Sequence, residues 1–269
     1  MTGTKHDTKH GRQRGLILQP RDLDILRSLS VMRVADREQV KIAAGFGSTT
    51  RVNERLLALT RVGLLRRFFL GSGGGRKALY ALSLKGAQVI QVPCRGPRRR
   101  QNEVLIADFF VQHQLSINAV YCDLKFGTIP APRVKFVNWL AFHEPLVAGL
   151  ALIPDAYVEF ATPSGIDASF IEVDLGHEGL PVWKEKTRHY VQLALSGEYE
   201  RQFRQSRFRV LVLVNSERRM LSIRAAVAKV TQKIFWFATL DAVRGEKFFG
   251  PVWLRPEGEH HQPFFNESI

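Results

Sequence analysis

The chain has 269 residues, of which 45% are hydrophobic, and this excludes a chain that is disordered throughout. Its two cysteines, Cys94 and Cys122, lack CxxC spacing, so no zinc ribbon or disulfide framework is predicted and a reducing cytoplasm is favoured. No signal peptide or membrane span is predicted, because the basic N-terminus is followed by no long apolar run.

The net charge of +14 is concentrated in one part of the chain. Residues 1–100 contain 21 of the 39 Lys and Arg residues but 6 of the 25 Asp and Glu residues, a difference of +15. The rest of the chain therefore has a difference of −1. A general solubilising surface would not confine its charge to one end, so the asymmetry favours nucleic-acid binding by the first hundred residues.

Three helices are predicted near the start of the chain, after a flexible basic tail over residues 1–17. The first begins near Pro20, a residue that suits the first helical turn. The second has Asp36 as its N-cap, and the third follows a Ser/Thr cap and ends at Gly63. Apolar residues recur at helical spacing in the first and third segments, which predicts one buried face on each.

After the third helix the hydrophobic period changes to two. This change predicts two strands, LLRRFFL and ALYAL, joined by the loop GSGGGRK and followed by a short helix, LKGAQVI. Three helices and a two-stranded hairpin are typical of a winged helix-turn-helix, here over residues 18–91. In that arrangement the third helix enters the major groove of double-stranded DNA and the wing lies along the backbone.

This placement predicts which residues contact DNA. Arg51 could read guanine and Asn53 could read adenine, although each could equally contact phosphate or only solvent. A basic linker over residues 92–101 follows the domain. The predicted DNA-binding residues are Thr49, Thr50, Arg51, Asn53 and Arg55 on the third helix, Arg76 and Lys77 on the wing, and Arg98, Arg99 and Arg100 in the linker.

The remaining elements predict an α/β domain with a mixed sheet over residues 102–254. A long helix over NEVLIADFFVQHQLSINAVYCDL comes first, and it could join the domains or form a homodimer contact. The strands RVKFVNWLAF, ALIPDAYVEF and ASFIEVDL follow, then helix PVWKEKTRHYVQLAL, strand FRVLVLVN, helix SERRMLSIRAAVAKV and strand IFWFATL. The polar residues 255–269 are predicted to be a disordered tail.

Three carboxylates lie on two neighbouring predicted strands. Glu172 and Asp174 are two residues apart and therefore share a face, and Asp155 lies on the strand before. Together they could hold a divalent metal ion. Alternatively, Glu172 could pair with Lys186 and hold a helix to the sheet, because an unpaired charge inside the apolar run FIEVDL would be unfavourable.

The order of these elements and residues resembles the PD-(D/E)xK nuclease superfamily, which has the restriction-endonuclease-like fold. The resemblance rests on Pro154-Asp155, on Glu172-Val173-Asp174 and on the helix motif from Lys186 to Tyr190. It implies Mg²⁺ bound by the carboxylates and a catalytic lysine that activates water. Asp174 stands where the superfamily has that lysine, and Lys186 could supply the charge from the helix.

The chain from about residue 18 to residue 254 resembles the replication-relaxation family of bacterial plasmid and mobile-element proteins. The resemblance rests on LQPRDLDILRSLSVMRVADREQV, RLLALTRVGLLRRF, YALSLKGA, PDAYVEF, FIEVDLGHE, WKEKTRHY, FRVLVLV and GPVWL in this order. It implies a role in plasmid replication or relaxation, with plasmid replication or mobilisation proteins as partners. A metal-dependent nickase, with Mg²⁺ as its cofactor, and a transcriptional regulator of a plasmid operon remain alternatives.

Overall fold

The computed structural model of the chain describes residues 16–71, 77–97 and 109–265. Helices with a small three-stranded antiparallel sheet come first, and a five-stranded mixed sheet with helices follows. Across these described ranges, no helix is both long and apolar enough to cross a membrane. Several predicted features lie outside the described residues, namely residues 1–15 of the basic tail, Arg76, Arg98, Arg99 and Arg100.

The N-terminal half follows the predicted order of elements closely. Strand β3 lies between β1 and β2 and is antiparallel to both. The helices are α1 (Pro20–Met32), α2 (Arg37–Ala43), α3 (Thr49–Arg61) and α4 (Leu84–Val89), and the strands are β1 (Ala35–Asp36), β2 (Leu65–Leu70) and β3 (Lys77–Leu82).

The ends of these helices form where the sequence predicts them. Pro20 occupies the first turn of α1, and the Asp36 carboxylate accepts a 2.8 Å hydrogen bond from the backbone N–H of Gln39 at the start of α2. Gly63 follows α3 with a φ of 77°, a conformation that glycine adopts without steric cost. Local chemistry therefore sets the boundaries of this half.

Strand β1 is the element of this half that the sequence did not predict. Its two residues, Ala35 and Asp36, pair with Tyr80 and Leu79 of β3. A two-residue strand shows no alternation of polar and apolar residues, so no periodic signal marks it. The predicted two-stranded hairpin is therefore the larger part of a three-stranded sheet.

The C-terminal half contains the predicted mixed sheet, in the order β4-β5-β6-β7-β8. Strands β4, β5 and β6 are antiparallel neighbours, whereas β6, β7 and β8 run parallel. The helices are α5 (Phe109–Phe126), α6 (Leu180–Leu195), α7 (Glu198–Phe203) and α8 (Glu217–Ala228), and the strands are β4 (Lys135–Ala141), β5 (Ala156–Thr162), β6 (Gly165–Asp174), β7 (Arg209–Val214) and β8 (Phe235–Thr239).

Each face of this sheet has its own apolar core. Successive residues of β7 alternate between them, so that Val210 and Val212 pack with α6 and α8, while Leu211 and Leu213 pack with α5. All five residues from Val210 to Val214 are buried, as expected for a strand covered on both faces. The sheet is thus enclosed between α5 on one side and the α6–α8 group on the other.

Residues 255–265 are held by contacts with the C-terminal half, which corrects the prediction that they form part of a disordered tail over residues 255–269. Arg224 of α8 donates hydrogen bonds to the Arg255 and Gly258 carbonyls at 2.9 and 2.6 Å, and the end of the segment packs on the α5 side of the sheet. Trp253 and Gln262 exchange two backbone hydrogen bonds of 3.2 and 2.8 Å. Phe264 and Phe265 are 1% and 8% exposed and pack in the core beside Phe160. The prediction failed because two adjacent aromatic residues in a polar segment have no strand or helix periodicity.

Helix α5 joins the two halves of the molecule. Its buried Asn118 donates hydrogen bonds to the carbonyls of Met32 and Val34, at 3.2 and 2.7 Å. Tyr121 and Cys122 belong to the apolar core of the N-terminal half, whereas Ile117 and Leu124 belong to that of the sheet. Of the two roles that the sequence left open for this helix, the connection between the halves is observed.

Candidate functional site

Helix α3 buries one face and leaves its first turn open to solvent. Val52, Leu56 and Leu59 are fully buried at spacings of four and three residues, which points them into the N-terminal core. Thr50 and Arg51, both predicted DNA contacts, are exposed on another face of the helix. The predicted contacts Thr49 and Asn53 are half-buried.

Arg55 has a structural contact that the sequence did not indicate. Its guanidinium forms a bidentate ion pair with the fully buried carboxylate of Asp22 and donates a 2.9 Å hydrogen bond to the Ile17 carbonyl. Hydrogen bonding to Asp22 raises the pKa of Arg55 above its ordinary value. This pair ties α3 to the start of α1 and engages the Nε and Nη2 donors of the guanidinium within the protein.

Lys77 is also engaged within the protein. Its ammonium lies 2.5 Å from the carboxylate of Asp36, the residue that caps α2, and its side chain is 53% exposed. The pair connects the start of β3 to the start of α2. Half of the side chain remains accessible, so Lys77 can still add positive charge to this surface.

Two further arginines hold the segment that leaves the N-terminal half. The Arg33 side chain donates to the Arg95 carbonyl at 3.2 Å, and the Arg66 side chain donates to the Pro97 carbonyl at 2.8 Å. Burial and the nearby charge of Arg95 lower the pKa of Arg33. The sequence does not indicate these contacts, because hydrogen bonds between residues that lie 62 and 31 positions apart leave no sequence pattern.

Glu172 and Asp174 lie on the same face of β6, as the strand alternation predicts. Both are buried, at 1% and 2% exposure, and both face α6. The Glu172 carboxylate accepts a 3.1 Å hydrogen bond from the Lys186 ammonium and a 2.5 Å hydrogen bond from the Tyr190 hydroxyl. The Glu172–Lys186 ion pair between sheet and helix, one of the two predicted alternatives, is therefore confirmed.

The Lys186 ammonium has a second carboxylate partner. Glu178, in the loop after β6, accepts hydrogen bonds of 3.0 and 2.9 Å from it. Although burial opposes the effect, these two carboxylates raise the pKa of Lys186 above its ordinary value. Burial in turn raises the pKa of Glu172, and Lys186 and Tyr190 oppose that rise. Lys186 is thus a charged group enclosed by two acceptors.

Asp174 is held by partners of its own. The Arg219 guanidinium contacts its two carboxylate oxygens at 3.0 and 2.6 Å, and Trp183 donates its indole N–H at 2.6 Å. Although burial opposes the effect, Arg219 and Trp183 lower the pKa of Asp174. Arg219 was not predicted, because it follows Asp174 by 45 residues on α8. Asp174 is therefore an ionised carboxylate bound in bidentate fashion.

Asp155 lies just before β5 and faces α5. Its carboxylate accepts a 2.7 Å hydrogen bond from the Val173 N–H and lies 3.1 Å from Nε2 of His113. The same nitrogen is 2.8 Å from the Val173 carbonyl. Although burial lowers it, the contact with Asp155 brings the pKa of His113 above its ordinary value. His113 is thus satisfied by protein groups, as the sequence analysis favoured.

These contacts occupy the carboxylates of the predicted metal site. Each carboxylate of the proposed set, Asp155, Glu172 and Asp174, is bound by donors of the protein itself. Within the described residues, no group of three or more His, Cys, Asp or Glu side chains is arranged to hold a metal ion. This arrangement does not fit the oxygen-rich coordination that Mg²⁺ requires.

The cavity beside the buried carboxylates does not reach the Glu172–Lys186 ion pair. A cavity of about 220 Å³ is lined by Phe109, His113, Asp174 and Glu178, among others, but not by Glu172 or Lys186. The Glu172 side chain is 1% exposed and the Lys186 side chain 17% exposed, so the pair is largely buried.

Comparison with known proteins gives one family. The model of the family described as Replication-relaxation matches residues 26–205, a span that runs from α1 to the segment after α7. Among curated proteins and among solved structures, none matches the chain significantly.

Proposed function

The chain belongs to the replication-relaxation family, and on this premise we propose that it is a DNA-binding protein of plasmid or mobile-element replication or relaxation. In this proposal the N-terminal half is a winged helix-turn-helix that binds duplex DNA, and the C-terminal half is a scaffold that recruits partners. The order of α1, α2, α3 and the β2–β3 hairpin supports the first part.

The single observation that carries the proposal is the exposed start of α3. Arg51 is exposed and, among the described residues, its guanidinium has no ion pair or hydrogen bond within the protein. Thr50 beside it is exposed as well, while Val52 and Leu56 fix the opposite face of the helix in the core. A free guanidinium at the start of a helix anchored in this way is suited to contact bases or phosphates.

The charge distribution supports the same surface. Residues 1–100 carry the whole excess of positive charge, whereas the rest of the chain has nearly equal numbers of acidic and basic residues. Binding to DNA through such a surface releases counterions and therefore weakens as salt concentration rises. A salt-dependent affinity for duplex DNA is thus expected.

The test compares the wild-type protein with Arg51→Gln and Arg218→Gln by fluorescence anisotropy on labelled duplex DNA at two salt concentrations. Arg218 is an exposed arginine on α8 and serves as the charge-matched control. We expect Arg51→Gln to weaken binding about tenfold and Arg218→Gln to leave it unchanged. A wild-type protein that does not bind duplex DNA at low salt would overturn the proposal.

A second experiment locates the function on DNA. Footprinting of the bound site on plasmid DNA distinguishes the two biological roles that a DNA-binding member of this family could have. Protection of a replication or transfer origin supports the role in replication or relaxation. Protection of a promoter operator instead supports a transcriptional regulator of a plasmid operon.

The nickase alternative rests on the three carboxylates Asp155, Glu172 and Asp174, two of which share a face of β6. We expect the C-terminal half to be non-catalytic, because Lys186 is bound by two carboxylates and Asp174 by Arg219. The check is incubation of supercoiled plasmid with Mg²⁺ or Mn²⁺ and with wild type, Asp155→Ala or Glu172→Ala. Metal-dependent nicks by the wild type that both variants lose would establish the nickase.

A further inference from the structure

A basic cavity of about 550 Å³ lies at the end of the five-stranded sheet opposite to Asp174. It is formed at the starts of β7 and β8 and at the β5–β6 turn. Glu172 and Asp174 lie toward the other end of the same strands, and the proposed DNA-binding helix α3 lies in the N-terminal half. The basic cavity is therefore separate from both. The side chains that define this basic cavity are Thr162, Ser164, Arg207, Arg209, Trp236 and Arg255.

Positive charge in the basic cavity exceeds negative charge. Three guanidinium groups line it, and Asp167 is the one carboxylate among the lining residues. Asp167 is bound to Arg209 at 2.5 Å, and Arg209 also donates a 2.7 Å hydrogen bond to the Phe264 carbonyl. Within the described part of the chain, neither Arg207 nor Arg255 has a carboxylate partner.

Trp236 holds two of these arginines close together. The guanidinium carbons of Arg209 and Arg255 lie 4.8 and 5.1 Å from the centre of its ring. Burial and the nearby charge of Arg209 lower the pKa of Arg255. The indole N–H of Trp236 is buried and has no hydrogen-bond partner among the described residues.

We propose that the basic cavity is a binding site for a phosphate group. Guanidinium groups bind phosphate oxygens through paired charge-assisted hydrogen bonds, and among the described residues Arg207 and Arg255 are the two arginines of the cavity that form no ion pair with a carboxylate. The phosphate belongs either to a free di- or triphosphate or to the backbone of DNA, and these sources share one chemistry.

The test uses the full chain and inorganic pyrophosphate as the probe. Isothermal titration calorimetry compares the wild type with Arg207→Gln, with Arg207→Gln/Arg255→Gln and with the control Arg218→Gln, whose arginine is exposed on α8 outside the cavity. We expect the double variant to bind pyrophosphate at least about tenfold more weakly, Arg207→Gln to lose part of the affinity and Arg218→Gln to match the wild type. Arg207 is exposed, so its single variant tests the site without disturbing the core.

A parallel titration with labelled duplex DNA separates the two sources of phosphate. Weaker DNA binding by the double variant assigns the site to the DNA backbone, and unchanged DNA binding assigns it to a free phosphate compound. The proposal is overturned if the wild type does not bind pyrophosphate, or if all four proteins bind it equally. Failure of DNA binding through Arg51 would leave the pyrophosphate result unaffected, so the two proposals fail separately.

Discussion

Two hydrogen-bond donors to the Glu172 carboxylate lie on a single face of one helix. Lys186 and Tyr190 are four residues apart on α6, so both point at the carboxylate that β6 presents to that helix. The carboxylate is 1% exposed, and water therefore cannot replace a lost partner. Removing one member of such a pair is more unfavourable than removing both, because the remaining charge stays buried.

The first prediction concerns this pair. Lys186→Met should lower the free energy of unfolding by about 3 kcal/mol, because Glu172 loses its buried counter-charge. Urea denaturation measures the effect, and Lys184→Met, two residues away on the same helix, should change stability by less than about 0.5 kcal/mol. Adding Glu172→Gln to Lys186→Met should restore part of the loss, and no recovery in this double variant would contradict the ion-pair interpretation.

The second prediction concerns pH. The pKa of His113 is raised in the folded protein by Asp155, so protonated His113 favours folding. This contribution is fully present below the unfolded pKa of about 6.5 and is lost as pH rises through the higher folded value. The stability difference between wild type and His113→Gln should therefore be larger at pH 5.5 than at pH 8.5. Equal differences at both pH values would show that Asp155 does not act on the charge of His113.

At the scale of the elements, two arginines about one turn apart on α3 have different roles. Arg51 is exposed to solvent, whereas Arg55 reaches the buried Asp22 at the start of α1. The Arg55–Asp22 contact fixes the angle between α3 and α1, whereas the Arg51 side chain is free on the surface. One helix therefore carries both its own anchor and its proposed contact with DNA.

The third prediction follows from that separation. Arg55→Met should destabilise the protein by about 3 kcal/mol, because it leaves the Asp22 carboxylate buried without a counter-charge. Arg51→Met should change stability by less than about 0.5 kcal/mol while weakening DNA binding. Thermal denaturation and anisotropy on the same two variants give the comparison. Equal stability of the two variants would refute the anchoring role of Arg55.

Local chemistry explains which elements could be predicted from the sequence. The cap at Asp36, the first turn at Pro20 and the continuous apolar run of β7 each involve neighbouring residues, and the structure has an element at each place. The contact from Lys186 to Glu172 was also predictable, since one residue lies in a strand and the other on the helix that follows it. A strand and a helix joined by a short loop can pack against each other in only a few ways, so the residues that face each other can be identified.

Contacts between distant residues explain what could not be predicted. Arg219 reaches Asp174 from 45 residues away, and Arg55 reaches Asp22 from 33. An isolated arginine looks the same in sequence whether it binds a buried carboxylate or faces solvent. In the sequence, Asp155, Glu172 and Asp174 therefore suggested a metal site, because the cationic side chains that bind them lie on other elements.

At the scale of the whole molecule, α5 is the part on which both halves depend. Asn118 donates to the N-terminal half, and its side-chain carbonyl accepts a 3.0 Å hydrogen bond from Gln114. A second hydrogen bond connects the two halves, because the Gln39 side chain donates to the Leu115 carbonyl of α5 at 2.8 Å. These contacts are largely buried, so the connection resembles a domain interior more closely than a flexible joint.

The fourth prediction tests this connection. Asn118→Leu should cost about 2 kcal/mol, because it leaves the Val34 carbonyl and the Gln114 amide without partners. Amide hydrogen exchange should then show faster exchange in α1–α3 than in β6 and β7, which would open separately. Gln112→Leu, at an exposed position of the same helix, is the control. Uniformly faster exchange in both halves would contradict a local role for Asn118.

Because α5 carries buried contacts to both halves, DNA bound at α3 would be held in one fixed orientation relative to the five-stranded sheet. A duplex turns once in about 10.5 base pairs, so rotation about its axis and distance along it are linked. Any protein held by the C-terminal half would then face one side of the double helix. Moving that partner's own DNA site by about five base pairs would place it on the far side, and moving it by a full turn would restore the alignment.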